Sequence, residues 1–416
     1  MQDNEKNPAL RFKGFTDPWE QRKLDEAFDF TVPNNTLSRA ELNQESGSVR
    51  NVHYGDVLIK YGSVLDVQND ELPFITGRSK DDFKGALLQN GDIIIADTAE
   101  DETTGKVCEI VNIQDKDVVA GLHTMVCRPK NKTAEGYFGY YMNSSSYHHQ
   151  LLPLMQGIKV LSLSKTNVQK TTVKYPKDKA EQQKIADCLR RIDTLITLHQ
   201  RKYEKLVNIK KSMLNKMFPP NGASVPEIRF KGFTDPWEQR KLKELYFQLT
   251  ERNTDLLPYQ KTLSVATMSF KTDGNGAADT SLANYKRLRT GDIAFEGHTS
   301  KEFRYGRFVL NDVGDGIMSP RFSALRPLHE MPINFWKYYI HYEPIMRKVL
   351  VNSTKAGTMM NELVINDFLQ GSILVPSMTE QQAIGRFFKQ LDTLITLHQR
   401  EHIKPILEVK RVKRNE

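Results

Sequence analysis

The chain has 416 residues, a length that allows about two or three domains. Lysine and arginine number 59 against 51 aspartate and glutamate residues, so the formal net charge is +8, and the pI of about 9.1 makes nucleic acid the first partner to consider. Apolar residues make up 39%, which excludes wholesale disorder, and the lack of any run of about 18 apolar residues excludes a membrane span.

The cysteines and the first residues indicate the compartment. The opening stretch lacks the apolar core of a secretory signal, so we expect none. The cysteines are Cys108, Cys127 and Cys188; three residues cannot all pair, and their spacing matches no zinc site. These features predict a reduced, cytoplasmic protein.

A fifteen-residue motif near the start of the chain, motif A, recurs 218 residues later. Residues 10–24 read LRFKGFTDPWEQRKL and residues 228–242 read IRFKGFTDPWEQRKL, so fourteen of fifteen positions are identical. The Asp-Pro-Trp step predicts a turn with Trp19 or Trp237 as an apolar anchor. A DNA amino-methyltransferase motif would need a second proline, which both copies lack.

The long segments after motif A, residues 25–176 and 243–376, resemble each other only faintly, although both contain Gly-Asp-Ile and a later Arg-Pro. Both are predicted to be α/β with short strands. The predicted strands lie at 92–96, 118–120, 124–127, 291–295 and 307–310. Aromatic runs at 137–141 and 335–339 predict helices whose aromatic faces either pack in the core or stack on bases.

A second motif, motif B, follows each long segment. Residues 181–201 and 380–400 match at thirteen of twenty-one positions. Apolar residues recur at alternating steps of four and three, the heptad of a coiled coil, and predict a first helix over 179–218, ended by Pro219 and Pro220. The predicted seam consists of Ile185, Leu189, Ile192, Ile196 and His199, and of Ile384, Phe388, Leu391, Ile395 and His398. Matching seams in a duplicated chain predict that the two helices pair antiparallel about a pseudo-twofold axis.

Motifs for catalysis are missing from the sequence. It contains no phosphate-binding loop, dinucleotide fingerprint or serine-hydrolase elbow, and His148-His149 has no further ligand at metal spacing. We therefore predict no catalytic residues and no metal site. Motifs A and B form a near-identical frame around each of the two diverged segments. This arrangement predicts that the frame binds one constant partner and that the segments recognise a target that varies. The alternative is a duplication kept for the stability of the fold.

These pieces resemble the specificity (S) subunits of type I restriction–modification systems over essentially the whole chain. The resemblance is carried by the duplicated RFKGFTDPWEQRKL, by Pro176 and Pro376 with the Glu-Gln-Gln after each, and by the two Asp-Thr-Leu-Ile-Thr-Leu-His-Gln-Arg helices. It implies two tandem, pseudo-symmetric α/β (α+β) target recognition domains joined by two long helices that form an antiparallel coiled coil. The expected boundaries are 1–177 for the first recognition domain, 178–218 for the first conserved helix, 219–227 for a linker, 228–377 for the second recognition domain and 378–416 for the second conserved helix and a basic tail.

The resemblance also implies function and partners. A specificity subunit is non-catalytic, and its two domains each read one half of a bipartite, asymmetric site in double-stranded DNA. It positions two methyltransferase subunits and, in the full complex, restriction subunits. S-adenosylmethionine, ATP and Mg²⁺ are expected on those partners, and no cofactor on this chain. The alternatives are a coiled-coil scaffold that does not read sequence and a fragment of a fused restriction enzyme.

Candidate DNA contacts follow from composition. Residues 297–307 mix basic, hydroxyl and aromatic side chains between glycines, which suits a loop entering a groove. The candidates are Lys106, His123 and Lys159 in the first domain, and His298, Ser300, Lys301, Arg304, Tyr305, Arg307, Arg321, Lys355 and Asn361 in the second. Candidates for the subunit and coiled-coil interface are Trp19, Trp237 and the seam residues.

The second helix departs from the first near its end. Pro405 takes the position equivalent to Leu206, and a proline inside a helix removes a backbone hydrogen bond and clashes with the preceding turn. We therefore predict that this helix ends or kinks within a few residues of Lys404. We also predict that Met213 and Met217 of the first helix are covered by the first recognition domain or by a methyltransferase subunit.

Overall fold

The structure, a computed structural model, forms two compact units. It describes residues 8–219, 223–271, 279–357 and 360–412. Unit 1 is Met1–Leu195 and unit 2 is Ile196–Glu416. Within the described ranges, none of the helices combines the length and the apolar character needed to cross a membrane.

Unit 1 mixes short strands and short helices and contains the start of a long helix. Its helices are α1 (Leu24–Ala27), α2 (Tyr54–Ile59), α3 (Tyr137–Met142), α4 (Ser145–His148), α5 (Lys165–Gln169) and α6 (Lys179–Met217), which continues into unit 2. Its strands are β1 (Glu20–Lys23), β2 (Phe28–Asp29), β3 (Leu42–Asn43), β4 (Val49–Val52), β5 (Val64–Asp66), β6 (Phe74–Ile75), β7 (Ile93–Ala96), β8 (Thr98–Ala99), β9 (Val107–Val111), β10 (Asp117–Ala120), β11 (Thr124–Pro129), β12 (Leu161–Ser162) and β13 (Thr172–Tyr175).

Two sheets form the body of unit 1. The larger has the strand order β2-β11-β7-β9-β5, and the smaller has the order β10-β4-β6-β3. The central strand β7 is buried throughout: Ile93 and Ile95 belong to one hydrophobic cluster, and Ile94 belongs to another. Successive side chains of a strand point to opposite faces, so the apolar run of β7 supplies both clusters. Helix α3 adds Tyr137 and Phe138 to the first cluster.

Unit 2 repeats this mixture and ends in the second long helix. Its helices are α7 (Ile333–Tyr339), α8 (Glu343–Ser353), α9 (Ile365–Gln370) and α10 (Met378–Val412). Its strands are β14 (Glu238–Lys241), β15 (Tyr246–Gln248), β16 (Leu263–Ser264), β17 (Ser269–Phe270), β18 (Lys286–Leu288), β19 (Ile293–Glu296), β20 (Arg307–Leu310), β21 (Gly316–Met318), β22 (Ala324–Pro327), β23 (Thr354–Lys355), β24 (Glu362–Leu363) and β25 (Ser372–Val375).

The core of unit 2 lies between its main sheet and the long helices. The sheet has the order β15-β22-β19-β20. Phe335, Trp336 and Tyr339 of α7 are buried in one cluster with Ile384 and Phe388 of α10. The aromatic face of α7 is therefore a core face, which decides between the two interpretations of this aromatic run. The mixed α/β class expected from the sequence is confirmed in both units.

Both copies of motif A end in a strand that closes the domain. β1 pairs antiparallel with β13, with Glu20 opposite Tyr175, and β14 pairs in the same way with β25, with Glu238 opposite Val375. The partner strands β13 and β25 directly precede the helices of motif B. Each long segment therefore begins just after the motif A strand and ends with the partner of that strand, so its two ends lie side by side.

The long helices agree with the heptad prediction. α6 extends over Lys179–Met217, against 179–218 predicted. Within unit 2, His199 lies beside His398, and Lys210 lies beside Asp392. Lys210 is nearer the end of α6 than His199 is, whereas its partner Asp392 is nearer the start of α10 than His398 is. The two helices therefore run in opposite directions, and the antiparallel pairing is confirmed.

Two expectations for the helix ends need correction. α10 includes Pro405 and continues to Val412, so the predicted end near Lys404 is wrong; a helix accommodates a proline by giving up one hydrogen bond. A kink there stays a prediction. The expected cover of Met213 and Met217 is also wrong, because Met217 is buried in the core of unit 2 and Met213 packs against that core. The antiparallel direction places the end of α6 against the start of α10 and the second domain.

Candidate nucleic-acid interface

A buried ion pair joins the two motifs of each frame. Arg11 donates from Nε and Nη2 to the two carboxylate oxygens of Glu181 at 2.7 Å, and Arg229 makes the same bonds to Glu380 at 2.8 and 2.7 Å. Both carboxylates are buried, and the hydrogen bonds raise the pKa of each arginine. A bidentate arginine–carboxylate pair fixes orientation as well as distance. We call these two pairs the frame clamps.

Other repeated residues also bond within their own copy. Gln182 and Gln381 donate their side-chain amides to the carbonyl oxygens of Pro176 and Pro376 at 2.8 and 2.9 Å. Part of the identity between the frames is therefore explained by internal bonding, the alternative to docking a constant partner. The stretch 12–18 of motif A is mostly exposed, so it stays available to a partner.

The two tryptophans of motif A are anchors of the fold. Trp237 is 3% exposed and packs in the core of unit 2 against Phe335 and Tyr339. Trp19 is half-buried, with its ring edge-on to Tyr137. A contact between Trp237 and a partner subunit would require the core to open, so its repeat is explained by packing.

The seam between the long helices contains a pair of facing histidines. Of the predicted seam residues on α10, Ile384 and Phe388 are buried in the core of unit 2, Leu391 and His398 are buried, and Ile395 is half-buried. On α6, half-buried residues are Ile185, Leu189, Ile196 and His199, and Ile192 is 41% exposed. Nδ1 of His199 lies 3.2 Å from Nδ1 of His398. His398 is the duplicate of His199 in motif B, so equivalent residues of the two helices face each other.

Unit 2 brings the second-domain candidates to one surface. The loop after β19 lies beside the hairpin of β23 and β24. Asn361 bridges them, since its backbone N–H donates to the carbonyl oxygen of Gly297 at 2.9 Å and its side-chain amide donates to that of Arg304 at 3.2 Å. A Cβ at Gly297 would lie 2.1 Å from the oxygen of Asn361, so this approach requires glycine. Arg321 and Asn361 line one cleft of about 390 Å³.

The side chains on this surface differ in how freely they can reach a ligand. Exposed candidates are His298, Ser300, Lys301, Arg304, Arg321 and Lys355; half-buried candidates are Tyr305, Arg307 and Asn361. The guanidinium of Arg307 is held, because it donates to the carbonyl oxygen of Ala266 at 2.9 Å and lies 5.0 Å from the ring centre of Phe303. In the part of the chain that the structure describes, neither the ammonium group of Lys301 nor the guanidinium of Arg304 makes a hydrogen bond, although the backbone carbonyl of Arg304 accepts one from Asn361. These two cations are the ones on the loop whose charged groups are exposed and not tied to the protein.

An ion pair repeated in both copies supports the strands that lead to the loops. Arg326, of the repeated Arg-Pro, bonds both oxygens of Asp292 at 2.9 and 2.8 Å, and Arg128 bonds those of Asp92 at 2.8 and 2.7 Å. Burial raises the pKa of Asp292, and the hydrogen bond from Arg326 opposes that rise. The repeated Gly-Asp-Ile and Arg-Pro are therefore joined to each other and position the strands below the loops.

The first-domain candidates are placed less uniformly. Lys106 donates its ammonium group to the carbonyl oxygens of Leu58 and Tyr61 at 2.9 and 3.1 Å, and burial lowers its pKa. Two of its three N–H donors are therefore used at the end of α2, and the group is half-buried. His123 is exposed in a left-handed backbone conformation (φ 54°), and Lys159 is exposed at the tip of the hairpin before β12.

The residues on either side of Lys159 are not among the candidates taken from the sequence. Ile158 is 100% exposed and Val160 is 51% exposed. The available signal was Gly157, because a glycine between apolar stretches marks a turn. Apolar residues in a turn do not by themselves indicate a contact with a partner. Only the structure shows that the side chains of Ile158 and Val160 are exposed.

The chemistry of this surface is that of recognition. Across the described ranges, no group of three or more His, Cys, Asp and Glu side chains is placed to hold a metal ion. The loops of unit 2 present cations and hydroxyl groups, which contact phosphates and base edges in protein–DNA interfaces. The geometry therefore favours binding of a polyanion.

Comparisons with known proteins find similarity to one family. Residues 16–208 match the model of the type I restriction modification DNA specificity domain. The chain is 21% identical over 403 residues to a type I restriction enzyme MjaX specificity subunit of Methanocaldococcus jannaschii, covering 92% of this chain and 89% of the relative. The crystal structure of a type I restriction–modification system S subunit from M. genitalium matches with a TM-score of 0.56 at 14% identity, covering 99% of this chain and 96% of that chain; this likeness concerns the fold.

These findings agree with the internal architecture. The matched range 16–208 contains most of the first motif A, the first long segment and the first motif B, and this plan is repeated over 228–400. The structural likeness extends over both copies. The chain is similar in sequence and in fold to the DNA specificity subunits of type I restriction–modification systems.

Proposed function

We propose that unit 1 and unit 2 each read one half of a bipartite, asymmetric DNA site. The observation that carries this proposal is a closed frame with a diverged insert, present twice in one chain. In two-headed DNA-binding proteins, the two heads read two half-sites. Shared frames with different inserts therefore favour two different half-sites in place of a palindrome.

The surface of unit 2 supports a division of contacts. Lys301 and Lys355 are exposed cations suited to phosphates, which fix register without carrying sequence information. Arg304 is suited to a base edge, because a guanidinium can bond two acceptors of guanine in the major groove. His123 and Lys159 are the corresponding candidates of unit 1.

The partners follow from the family. We propose that two methyltransferase subunits dock on the frames and the paired helices, and that restriction subunits join them in the full complex. S-adenosylmethionine, ATP and Mg²⁺ would be bound by those subunits, and this chain would supply no bond-making residue. The assembly would work in the cytoplasm, where its DNA substrate lies.

DNA binding by the methyltransferase complex tests the proposal. We expect specific binding whose affinity falls steeply with salt, because phosphate contacts release counterions. Arg304→Ala should weaken specific binding by about 1–3 kcal/mol and relax one position of the recognised sequence, as read by methylome sequencing. Arg347→Ala is the matched control, since Arg347 is an exposed arginine on α8 of the same unit.

The alternative, a scaffold that does not read sequence, has a different signature. It predicts subunit assembly with unaltered methylation sites in every loop variant. If Arg304→Ala keeps both the affinity and the recognised sequence, Arg304 does not belong to the reading loop. Salt-independent binding without sequence preference would contradict the proposed function itself.

A further inference from the structure

The hairpin tip of unit 1, residues 157–160, presents apolar side chains to solvent. Ile158 is 100% exposed and Val160 is 51% exposed. The side chain of Ile158 does not pack against the rest of unit 1, and the exposure of its apolar surface to water is unfavourable. Exposed apolar side chains are common singly, but two at the tip of one built turn form a small contact surface.

The turn that presents Ile158 is firmly built. Gln156 and Ser162 exchange backbone hydrogen bonds of 2.9 and 2.8 Å, and β12 then pairs with β8. Gly157 has φ +126°, and a Cβ there would lie 1.8 Å from the carbonyl oxygen of Val160. A side chain at position 157 is therefore incompatible with the turn. The major groove admits a two-stranded β-ribbon, so it is wide enough for this narrow turn.

The charges around the first hairpin point to bases more than to phosphates. From residue 136 to residue 176 the chain has four lysines and no aspartate or glutamate. The loop after the paired strand β8, however, is acidic, with Glu100, Asp101 and Glu102 all exposed. Carboxylates repel phosphates but accept hydrogen bonds from cytosine. This edge of unit 1 is thus suited to the interior of a groove.

We propose that Ile158 contacts the 5-methyl group of a thymine in the major groove and so specifies one A·T pair of the first half-site. The inference rests on the proposed function, because it assigns a residue to a half-site. The methyl group is the apolar feature that distinguishes thymine in the major groove, and an exposed isoleucine on a rigid tip is its natural counterpart.

Uracil substitution tests the contact directly, because deoxyuridine lacks only that methyl group. The recognised sequence is determined first by methylome sequencing, and each thymine of the first half-site is then replaced in turn. The wild-type complex should lose about fourfold in affinity at one position, which is about 0.8 kcal/mol at 1.4 kcal/mol per factor of ten. Ile158→Ala should bind less tightly and should no longer respond to uracil at that position.

Two further variants make the result specific. Ile158→Val keeps an apolar tip and should retain most of the uracil effect. Ile59→Ala removes another isoleucine of unit 1, 86% exposed on α2, and should leave the uracil profile unchanged. The inference is overturned if Ile158→Ala shows the wild-type uracil profile, or if no thymine of the first half-site responds. Binding without any sequence preference would instead overturn the proposed function.

Discussion

Glu109 shows how a single buried carboxyl group can set the pH response of a domain. It is 1% exposed in β9 and accepts hydrogen bonds from the backbone N–H groups of Gly136 and Gly139 at 2.7 and 2.9 Å. Burial raises its pKa from 4.5 to about 7, although the two N–H groups favour the charged form. Protonation of Glu109 therefore affects the hydrogen bonds that Gly136 and Gly139 make at the start of α3.

The sign of the effect on stability follows from this raised pKa. The protonated carboxyl stabilises the folded unit fully below pH 4.5, and this stabilisation is lost as the pH rises through about 7. We expect a loss on the order of 3 kcal/mol in the free energy of unfolding of unit 1. Urea unfolding at pH 5 and pH 8 measures it, with a reporter in unit 1.

Variants isolate the contribution of Glu109. Glu109→Gln cannot ionise, so it should flatten this part of the pH dependence. Glu102→Gln, at an exposed position of the same unit, should keep the slope of the parent chain. An unchanged slope in Glu109→Gln would show that another group carries the pH response.

At the scale of elements, the frame clamps attach the start of each long helix to motif A. Glu181 lies in the first turn of α6, and its partner Arg11 lies 170 residues earlier in the chain. The side chain of Glu181 is 1% exposed and that of Arg11 is 13% exposed. Removing one partner from a buried ion pair leaves a charge without compensation.

We predict that Glu181→Gln, which keeps the shape and removes the charge, costs about 3 kcal/mol in the free energy of unfolding of unit 1. Thermal or urea unfolding measures the change. Glu204→Gln is the matched control, because Glu204 is an exposed glutamate on the same helix. If the two variants are equally stable, the frame clamp does not stabilise unit 1.

The elements with strong local patterns could be predicted from the sequence. The heptad predicts 179–218 and the helix is Lys179–Met217, and the predicted strand 307–310 is β20 itself. The frame strands were not predicted, because Glu-Gln-Arg-Lys has no apolar alternation. β1 becomes a strand only through its pairing with β13, about 150 residues away, and local propensity does not encode such a pairing.

The candidate site could be predicted less well than the fold. The loop around Arg304 was found from its composition, and the structure keeps it on the surface. Lys106 has the same side chain as Lys301 but is tied to backbone carbonyl groups, which depends on tertiary packing and not on sequence. Ile158 was missed because its significance lies in its exposure.

For the whole molecule, the closed frames predict that the inserts are exchangeable. The segment 25–176 starts just after β1 and ends with β13, the partner of β1, so a related insert that brings its own equivalent of β13 can be joined there without moving motifs A and B. Exchange of 25–176 should change one half-site of the recognised sequence, and exchange of 243–376 should change the other. Methylome sequencing of both chimaeras measures this. If one exchange alters both half-sites, the heads do not read independently.

The near-identity of the two frames has a consequence for the synthesis of the chain. Arg11 and Arg229 have equivalent partners, so a nascent chain could also close Arg11 onto Glu380. Glu380 emerges from the ribosome 199 residues after Glu181, a delay of roughly 10–40 s at about 5–20 residues per second. Vectorial synthesis therefore lets the first frame close before its competitor exists. Refolding from denaturant offers both glutamates at once, so a swapped closure competes and the yield of native chain is expected to be lower.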